Sequence, residues 1–325
     1  MNKVTKEIII TGCIAMLITS CSTVTTGGSS TDLYKSPELK SMAYASYDLV
    51  MDLWDVPYTE EWIDTEFGST HLIVTGPDTG KPLFLFPGLF ADATMWYANA
   101  GALAERYRVY AVDLPVYGGK SEPSGKAISD ISDYSTWFQS LLSHYGYDST
   151  AVAGLSYGSW LALALAREIP ESISAAIMLD PSETFTKMSG IMVWQGFRYF
   201  MLFPNRNKYK KFFSWIGGGF SDEKTEIWLE HMIDVIDYGT VGMMDVPQHR
   251  VYAPEELEMV DMPVLILAGG KPIIYNDPEV FAIAAKTALP QAQIELIEDT
   301  GHSLNVEKPG EVNTRMLAFL DENYL

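Results

Sequence analysis

The chain has 325 residues, of which 47% are hydrophobic and 20% are charged, so it can bury a sizeable core and is not disordered throughout. Its 42 Asp and Glu against 22 Lys and Arg give a formal net charge of -20. This balance excludes a nucleic-acid-binding protein, because such proteins need a basic face to neutralise phosphates. The two cysteines exclude a disulfide framework and a thiolate metal cluster.

The N-terminal segment is typical of an export signal. A basic start precedes the apolar run 8–18, which is too short to span a bilayer comfortably. The run ends in Leu-Ile-Thr-Ser-Cys, which resembles a bacterial lipobox with Cys21 as the lipid-bearing residue; an ordinary secretory signal with a chance cysteine is the alternative. We predict a lipoprotein signal peptide over residues 1–20, a flexible tether over 21–32, and an exported protein that the lipid holds at a cell or outer membrane.

Strand and helix patterns alternate through the rest of the chain, which we predict to be one domain over residues 33–325. Strand patterns fall at an opening antiparallel pair and then at short apolar runs typical of strands buried on both faces: 62–67, 71–75, 82–86, 107–112, 151–155, 175–179, 264–268 and 294–297. Helical patterns lie at 93–106, 134–144, 157–169, 279–289 and 311–322. The alternation predicts an α/β fold with a mostly parallel, doubly wound sheet.

One long segment interrupts this alternation. About 80 residues without a strand pattern separate Asp180 from Pro263, and they are rich in large apolar side chains. We predict a helical cap over about residues 182–260, inserted after the sixth strand and laid over the carboxyl edge of the sheet. Most of its aromatic residues are expected to pack against the domain and some to line a pocket. The pocket candidates, including one residue ahead of the cap, are Phe90, Trp194, Phe197, Trp215 and Trp228.

The predicted chemistry centres on the Gly-Leu-Ser-Tyr-Gly sequence at 154–158. Ser156 ends a strand pattern and opens a helical one, so its backbone should form a tight, strained turn. Gly154 and Gly158 remove side chains that would collide across that turn. A plain strand-to-helix turn is the alternative interpretation. We predict that Ser156 is a nucleophile whose hydroxyl enters the crevice at the carboxyl ends of the strands.

A serine hydroxyl needs a base, and His302 is the candidate. It follows the last strand pattern in an Asp-Thr-Gly-His-Ser sequence, and the glycine allows that loop to approach the serine loop closely. The other four histidines fall where a structural role is usual: His71, His144, His231 and His249. No two histidines have the spacing of metal ligands, so we expect no metal.

Acyl transfer also needs donors for the oxyanion. One predicted donor is the backbone N–H of Tyr157, directly after the nucleophile. The other is the N–H of Leu89, in the loop that follows the strand at 82–86.

From about residue 60 onward the chain resembles the α/β-hydrolases. The resemblance rests on the GLSYG sequence, the strand end FPGLF, the strand VYAVDLP and the C-terminal GHSLNVEKPGEV. Through FGSTHLIVTGP, TMWY and ETF it is similar, more narrowly, to bacterial carboxylesterases of the naproxen-esterase-like group. The resemblance implies a capped α/β-hydrolase that cleaves small-molecule carboxylic esters through an acyl-enzyme, without a cofactor.

The acid that should orient the histidine is left open between two residues. The usual loop offers Pro272 where the family pattern has an acid. Asp277 lies nearby but precedes a proline at a helix start, which is typical of a helix cap. Asp180 ends the preceding strand, where certain haloalkane dehalogenases of the same superfamily place their acid. It too could be a cap, because Glu183 follows it by three residues. We favour Asp180, with Asp277 as the alternative acid and neither as a third possibility.

Other interpretations of the same residues remain. The triad also serves thioester, peptide and C–C bond hydrolysis and perhydrolysis, and the cap pocket would decide among these reactions. The chain could also be a surface lipoprotein that binds a ligand with the fold after losing catalysis. Pro272 supports this last alternative, and the intact Ser156 and His302 oppose it.

Overall fold

The computed structural model describes residues 32–219, 222–242 and 245–324. Together these residues form one compact unit. The predicted signal peptide, Cys21 and the tether up to residue 31 lie outside the described residues.

The described residues form a nine-stranded sheet. Its strands in chain order are β1 Tyr58–Thr65, β2 Gly68–Thr75, β3 Lys81–Phe86, β4 Tyr107–Val112, β5 Glu122–Pro123, β6 Thr150–Leu155, β7 Ile173–Leu179, β8 Val264–Gly269 and β9 Gln293–Ile297.

Helices alternate with the strands. They are α1 Pro37–Met51, α2 Ala100–Ala104, α3 Ile131–Tyr145, α4 Tyr157–Glu168, α5 Gly190–Gly196, α6 Arg206–Ile216, α7 Glu223–Tyr238, α8 Pro278–Ala288, α9 Leu304–Glu307 and α10 Pro309–Asn323. Short 3₁₀ turns occur at Ala93–Trp96, Pro170–Ser172 and Pro254–Leu257, and a π-helical turn at Phe197–Met201.

The strand order is β1-β2-β4-β3-β6-β7-β8-β9, with the short β5 paired to β2. The pairs of β2 with β1 and β4 are antiparallel, and every pairing from β4 through β3, β6, β7 and β8 to β9 is parallel. The predicted α/β fold with a mostly parallel sheet is therefore confirmed. Because the carboxyl ends of the parallel strands share one edge, the loops after β3, β6, β7, β8 and β9 converge there.

The apolar core has two halves, one on each face of the sheet. Along β3, Phe84 and Phe86 enter one half while Leu83 and Leu85 enter the other, as the alternation of a strand requires. The first half includes residues of α3, α4 and α8, and the second includes residues of α1, α10 and the cap helices α6 and α7.

One expectation about the helices is wrong, and one helix was not predicted. The helix predicted over 93–106 is a 3₁₀ turn followed by the five-residue α2. Asp92 caps the turn by accepting from Thr94 N–H, and Asn99 stands between the two pieces. The sequence analysis also missed α1, although Ser36 accepts from Leu39 N–H as an N-cap and Pro37 occupies the first helical position.

The segment predicted as a cap contains α5, the π-helical turn, α6 and α7. It follows β7, the seventh strand rather than the sixth, because the short β5 was not predicted. Phe212, Phe213 and Leu229 are buried in the half of the core that also holds residues of β7 and β8. Across the described residues, no helix combines the length and apolar character that a membrane crossing needs.

Candidate active site

Ser156 occupies a strained turn between β6 and α4. Its φ of 55° and ψ of -113° lie outside the regions that non-glycine residues usually adopt. Both glycines beside it are required by close backbone contacts. A Cβ on Gly154 would lie 2.1 Å from the Gly158 carbonyl, and a Cβ on Gly158 would lie 2.2 Å from Phe86 O. The predicted tight turn is therefore present.

Asp180 and His302 form a buried pair at the carboxyl edge of the sheet. His302 Nδ1 lies 2.6 Å from Asp180 Oδ2, and the second carboxylate oxygen accepts from Gly269 N–H at 3.0 Å. The side chains of Asp180 and His302 are 3% and 8% exposed. Each carboxylate oxygen of Asp180 thus has a partner, and the contact through Oδ2 orients the His302 ring.

Strand register brings Asp180 next to the serine. Leu155 of β6 is paired with Leu179 of β7, so Ser156 and Asp180 are the next residues on two adjacent strands. Ser156 N–H donates to Leu179 O at 2.9 Å. Neighbouring strands are about 4.8 Å apart, so the two residues start from adjacent positions on the same edge.

The two capping alternatives have different outcomes. Asp277 is exposed and caps α8, accepting from the N–H groups of Glu279 and Val280. Asp180 is not a helix cap: it has a φ of 43°, and the next helix does not begin until Gly190. Of the two acids, Asp180 is the one that the structure places against His302.

The loop that carries His302 is held from two sides. Glu307 accepts from the N–H groups of Gly301 at 2.7 Å and Ser303 at 3.1 Å, and burial raises the pKa of its carboxyl above the usual value. His302 N–H donates to Ile216 O, at the end of cap helix α6, at 2.7 Å. Sequence reasoning gave Glu307 no role.

The loop after β3 lies against the serine. A Cβ on Gly88 would be 3.6 Å from Ser156 Cβ. Gly88 N–H donates to Met95 Sδ at 3.2 Å, and Gly88 O accepts from Tyr117 OH at 2.9 Å. The predicted oxyanion donor Leu89 is the next residue. The other predicted donor, Tyr157, is the first residue of α4. The N–H groups in the first turn of a helix have no acceptor within the helix, so they can bind an anion.

Behind this loop lies a second group of the same residue types. Asp92, three residues after Leu89, accepts from Thr94 and contacts His231 Nε2 of cap helix α7 at 2.7 Å. His231 Nδ1 lies 2.9 Å from Ser46 Oγ of α1. The sequence analysis missed this group, because its members are 139 and 185 residues apart along the chain.

Ser182 is a further residue that sequence reasoning did not single out. Its hydroxyl oxygen lies 3.5 Å from Ser156 Oγ, and the residue is 5% exposed. It follows Asp180 by two residues, so the loop after β7 places two polar side chains, those of Asp180 and Ser182, near Ser156.

The pocket candidates occupy different environments. Phe90 is buried in the loop after β3, directly after Leu89, and its ring stacks on Phe200 of the cap with centroids 6.0 Å apart. Trp194 is 57% exposed, and its ring lies 6.0 Å from that of half-buried Phe197. Trp215 is also half-buried. Trp228 is 3% exposed and belongs to the core beneath the cap.

The remaining ionisable groups of the described residues do not form a metal centre. Within residues 32–219, 222–242 and 245–324, no group of three or more His, Cys, Asp and Glu is arranged to hold a metal ion. Instead, His71 lies between Asp113 at 2.7 Å and Glu60 at 3.0 Å, in a buried cluster that also binds Lys120. Burial lowers the pKa of His249, and Glu183, 3.6 Å away, offsets part of that shift.

Comparison with known proteins identifies the family of this chain. A model of the Alpha/beta hydrolase family matches residues 83–315. Carboxylesterase nap of Bacillus subtilis (strain 168), whose name calls it uncharacterized, is 29% identical over 290 residues, 86% of this chain and 92% of its own. Carboxylesterase YbfK of the same organism is 27% identical over 281 residues, 85% and 93% of the two chains.

Solved structures give the same result. The crystal structure of naproxen esterase (carboxylesterase NP) from Bacillus subtilis has a TM-score of 0.78 and 27% identity, covering 88% of this chain and 99% of that one. That of carboxylesterase CesB (YbfK) from the same species has a TM-score of 0.77 and 25% identity, covering 87% and 98%. The family model spans well over half of the sequence, so this chain belongs to the α/β hydrolase family.

Proposed function

We propose that this chain is a carboxylic ester hydrolase in which Ser156 is the nucleophile, His302 the base and Asp180 the acid. The observation that carries the proposal is the 2.6 Å contact between Asp180 and His302, one strand away from the strained turn of Ser156. The likeness to carboxylesterases over most of both chains supports an ester as the substrate.

In the proposed reaction, Ser156 Oγ bonds to the ester carbonyl carbon while His302 Nε2 takes the hydroxyl proton. Asp180 holds Nδ1–H and stabilises the imidazolium that forms. The carbonyl oxygen becomes an oxyanion, which accepts from the N–H groups of Leu89 and Tyr157. When the C–O bond breaks, His302 returns the proton to the leaving alcohol. Water then repeats the sequence on the acyl-enzyme and releases the acid.

The substrate is proposed to carry an apolar or aromatic part. The support lies beside the oxyanion loop, where Phe90 directly follows Leu89 and stacks on Phe200 of the cap. Apolar pocket walls with a few polar groups are usual for sites that bind small molecules.

A fluorophosphonate probe tests the nucleophile, because it reacts with an activated serine. We expect covalent labelling of Ser156 in the folded protein and none in Ser156→Ala. A panel of p-nitrophenyl esters, thioesters and aminoacyl naphthylamides then tests the reaction type, with the esters expected to turn over fastest. A folded protein that the probe does not label would instead favour a non-catalytic binding protein.

We further propose that the exported chain is anchored by lipid on Cys21. The support is the sequence alone: an apolar run, a lipobox-like ending and a Ser/Thr/Gly-rich tether. Cys21→Ala should leave unlipidated precursor, whereas Cys13→Ala, inside the predicted signal peptide, should leave lipidation intact. Detergent-free fractionation and metabolic labelling with palmitate measure both. Wild-type protein in the soluble fraction would contradict the anchor.

A further inference from the structure

The outer face of the cap carries an unusual concentration of exposed apolar side chains. Of the thirteen large hydrophobic residues that are exposed in the described part of the chain, six lie between residues 190 and 203. We call these six the cap patch: Ile191, Val193, Trp194, Met201, Leu202 and Phe203. Phe203 is 87% exposed. Scattered exposed hydrophobics are normal, but a cluster of this kind marks an interaction surface.

The same stretch is basic in an acidic protein. Residues 187–211 contain six Lys and Arg and no Asp or Glu, although the whole chain has a net charge of -20. The six are Lys187, Arg198, Arg206, Lys208, Lys210 and Lys211. The cap patch is therefore flanked on both sides in sequence by positive charge.

Several of these charges are available for a partner. Arg206 and Lys210 form ion pairs with carboxylates of α7. Lys187, Arg198 and Lys211 are exposed and make no ion pair with any carboxylate in the part of the chain that the structure describes.

Lys208 links the charge to the cap patch directly. Its Nζ lies 5.9 Å from the centre of the Phe203 ring and donates to Leu202 O. A basic group thus sits beside the most exposed apolar side chain of the patch.

The inner side of this segment is fastened to the domain. Ser189 N–H donates to Ile274 O at 2.7 Å, and Ser189 Oγ donates to Ile273 O at 2.6 Å. Farther along, Phe200 stacks on Phe90 and packs against Tyr209. The segment is held at both ends while the cap patch remains in solvent, so its exposure is a property of the folded protein.

We infer that the cap patch and its basic residues dock onto the surface of a bilayer that contains anionic phospholipids. Aromatic and aliphatic side chains enter the headgroup boundary, and Lys and Arg contact the lipid phosphates while their stems cover apolar surface. The rest of the protein is strongly acidic and is repelled by the same surface, so this face alone points toward the membrane. The inference is independent of the proposed ester hydrolysis.

The test places an environment-sensitive fluorophore at the patch. In the full chain, with Cys13 and Cys21 replaced by serine, Phe203→Cys is labelled and mixed with vesicles of phosphatidylglycerol and phosphatidylcholine. We expect a several-fold rise and a blue shift in emission. The matched control is Ile283→Cys, an equally apolar residue on α8 that is 67% exposed, and its label should not respond.

Charge is tested in the same labelled chain. We replace Lys187, Arg198 and Lys211 with glutamine. The equilibrium constant for insertion of the label into the vesicles should fall by about fivefold for each charge removed. High salt should weaken the response of the unsubstituted chain in the same direction.

Three results would overturn the inference. One is a label at Phe203 that stays silent on anionic vesicles. Another is a response of equal size on pure phosphatidylcholine, which would remove the role of charge. The third is a response that rises with protein concentration without vesicles, together with dimers in sedimentation, which would make the cap patch a contact between two copies.

Discussion

Among the residues that the structure describes, two groups combine a serine, a histidine and an aspartate, and they differ in what surrounds the serine. At the sheet edge, Ser156 stands beside Asp180, which contacts His302. Beneath the cap, His231 connects Ser46 to Asp92, with contacts of 2.9 and 2.7 Å. The two groups contain the same residue types, and in the second the histidine contacts both the serine and the aspartate.

The backbone at the serine separates them. Ser156 has a positive φ at the start of a helix, next to an amide that can bind an oxyanion. Ser46 lies inside α1, and its hydroxyl donates to Ala43 O at 3.0 Å. Amides inside a helix already donate to the preceding turn, so none remains to stabilise an oxyanion at Ser46. The second group joins α1, the cap and the loop after β3, so we expect its role to be structural.

The largest expected effect separates the two serines. Ser156→Ala should lower kcat for a p-nitrophenyl ester by roughly 10⁴–10⁶, since loss of a triad nucleophile typically costs that much. Ser46→Ala should leave kcat unchanged and alter only stability. Steady-state kinetics on both variants measure the difference. Residual activity of Ser156→Ala within tenfold of wild type would remove that residue from the mechanism.

The two aspartates should differ in the kind of damage that they cause. Asp180→Asn should lower kcat by roughly 10²–10⁴, as expected for loss of a triad acid. Asp92→Asn should mainly destabilise the fold, by about 1–3 kcal/mol, because it removes the buried carboxylate that contacts His231 and accepts from Thr94. Asp277→Asn is the control and should cost far less activity than Asp180→Asn. Steady-state kinetics and urea unfolding of all three variants measure these differences. If Asp277→Asn lowers kcat more than Asp180→Asn does, Asp277 is the acid.

His71 extends the comparison to a third histidine, which lies outside both groups. Its charge should affect the free energy of unfolding but not catalysis. Burial alone would lower the pKa of His71, but Asp113 and Glu60 outweigh this and raise it to about 9. The stabilisation is complete below the unfolded pKa of about 6.5 and is lost as the pH rises through 9. The hydrogen bond from His71 lowers the pKa of Glu60 to about 2, so that contribution is lost only in acid.

Between pH 6 and pH 10, wild type should therefore lose up to about 3 kcal/mol of unfolding free energy relative to His71→Gln. Urea unfolding of both proteins at the two pH values gives this difference, because other titrating groups cancel. Equal pH dependence of the two proteins would mean that His71 is not charged in the fold.

Most strands could be predicted because burial on both faces leaves a continuous apolar run. The run at 107–112 matches β4 at both ends, and that at 264–268 misses one residue of β8. The prediction for 93–106 was wrong because the apolar residues of this run fit a single helix. In the structure, Asp92 caps a 3₁₀ turn at the start of the run, and Asn99 separates that turn from a short helix.

The serine loop and the histidine loop could be predicted because their signals are local: a strand, a glycine and the chemical residue lie within a few positions. The contact between Asp180 and His302 spans 122 residues and has no local signal. Ser182 was missed for a similar reason, because it meets Ser156 only when the loops after β6 and β7 come together. Glu307 lies only six and four residues from its partners Gly301 and Ser303, but no sequence motif marks a carboxylate that binds the backbone amides of its own loop.

The hydrogen bond from His302 N–H to Ile216 O joins the cap to the histidine loop through main-chain atoms alone. A Cβ on Gly301 would lie 2.3 Å from the same carbonyl oxygen, so the two backbone segments pack too closely to leave room for a side chain at residue 301. The hydrogen bond is made by main-chain atoms, while the Ile216 side chain is buried in the core. Changes in the cap that keep this junction and an apolar side chain at residue 216 should therefore leave the histidine loop in place. Exchange of caps between relatives should succeed when the crossover falls well before residue 216 and fail when it falls between 216 and 218.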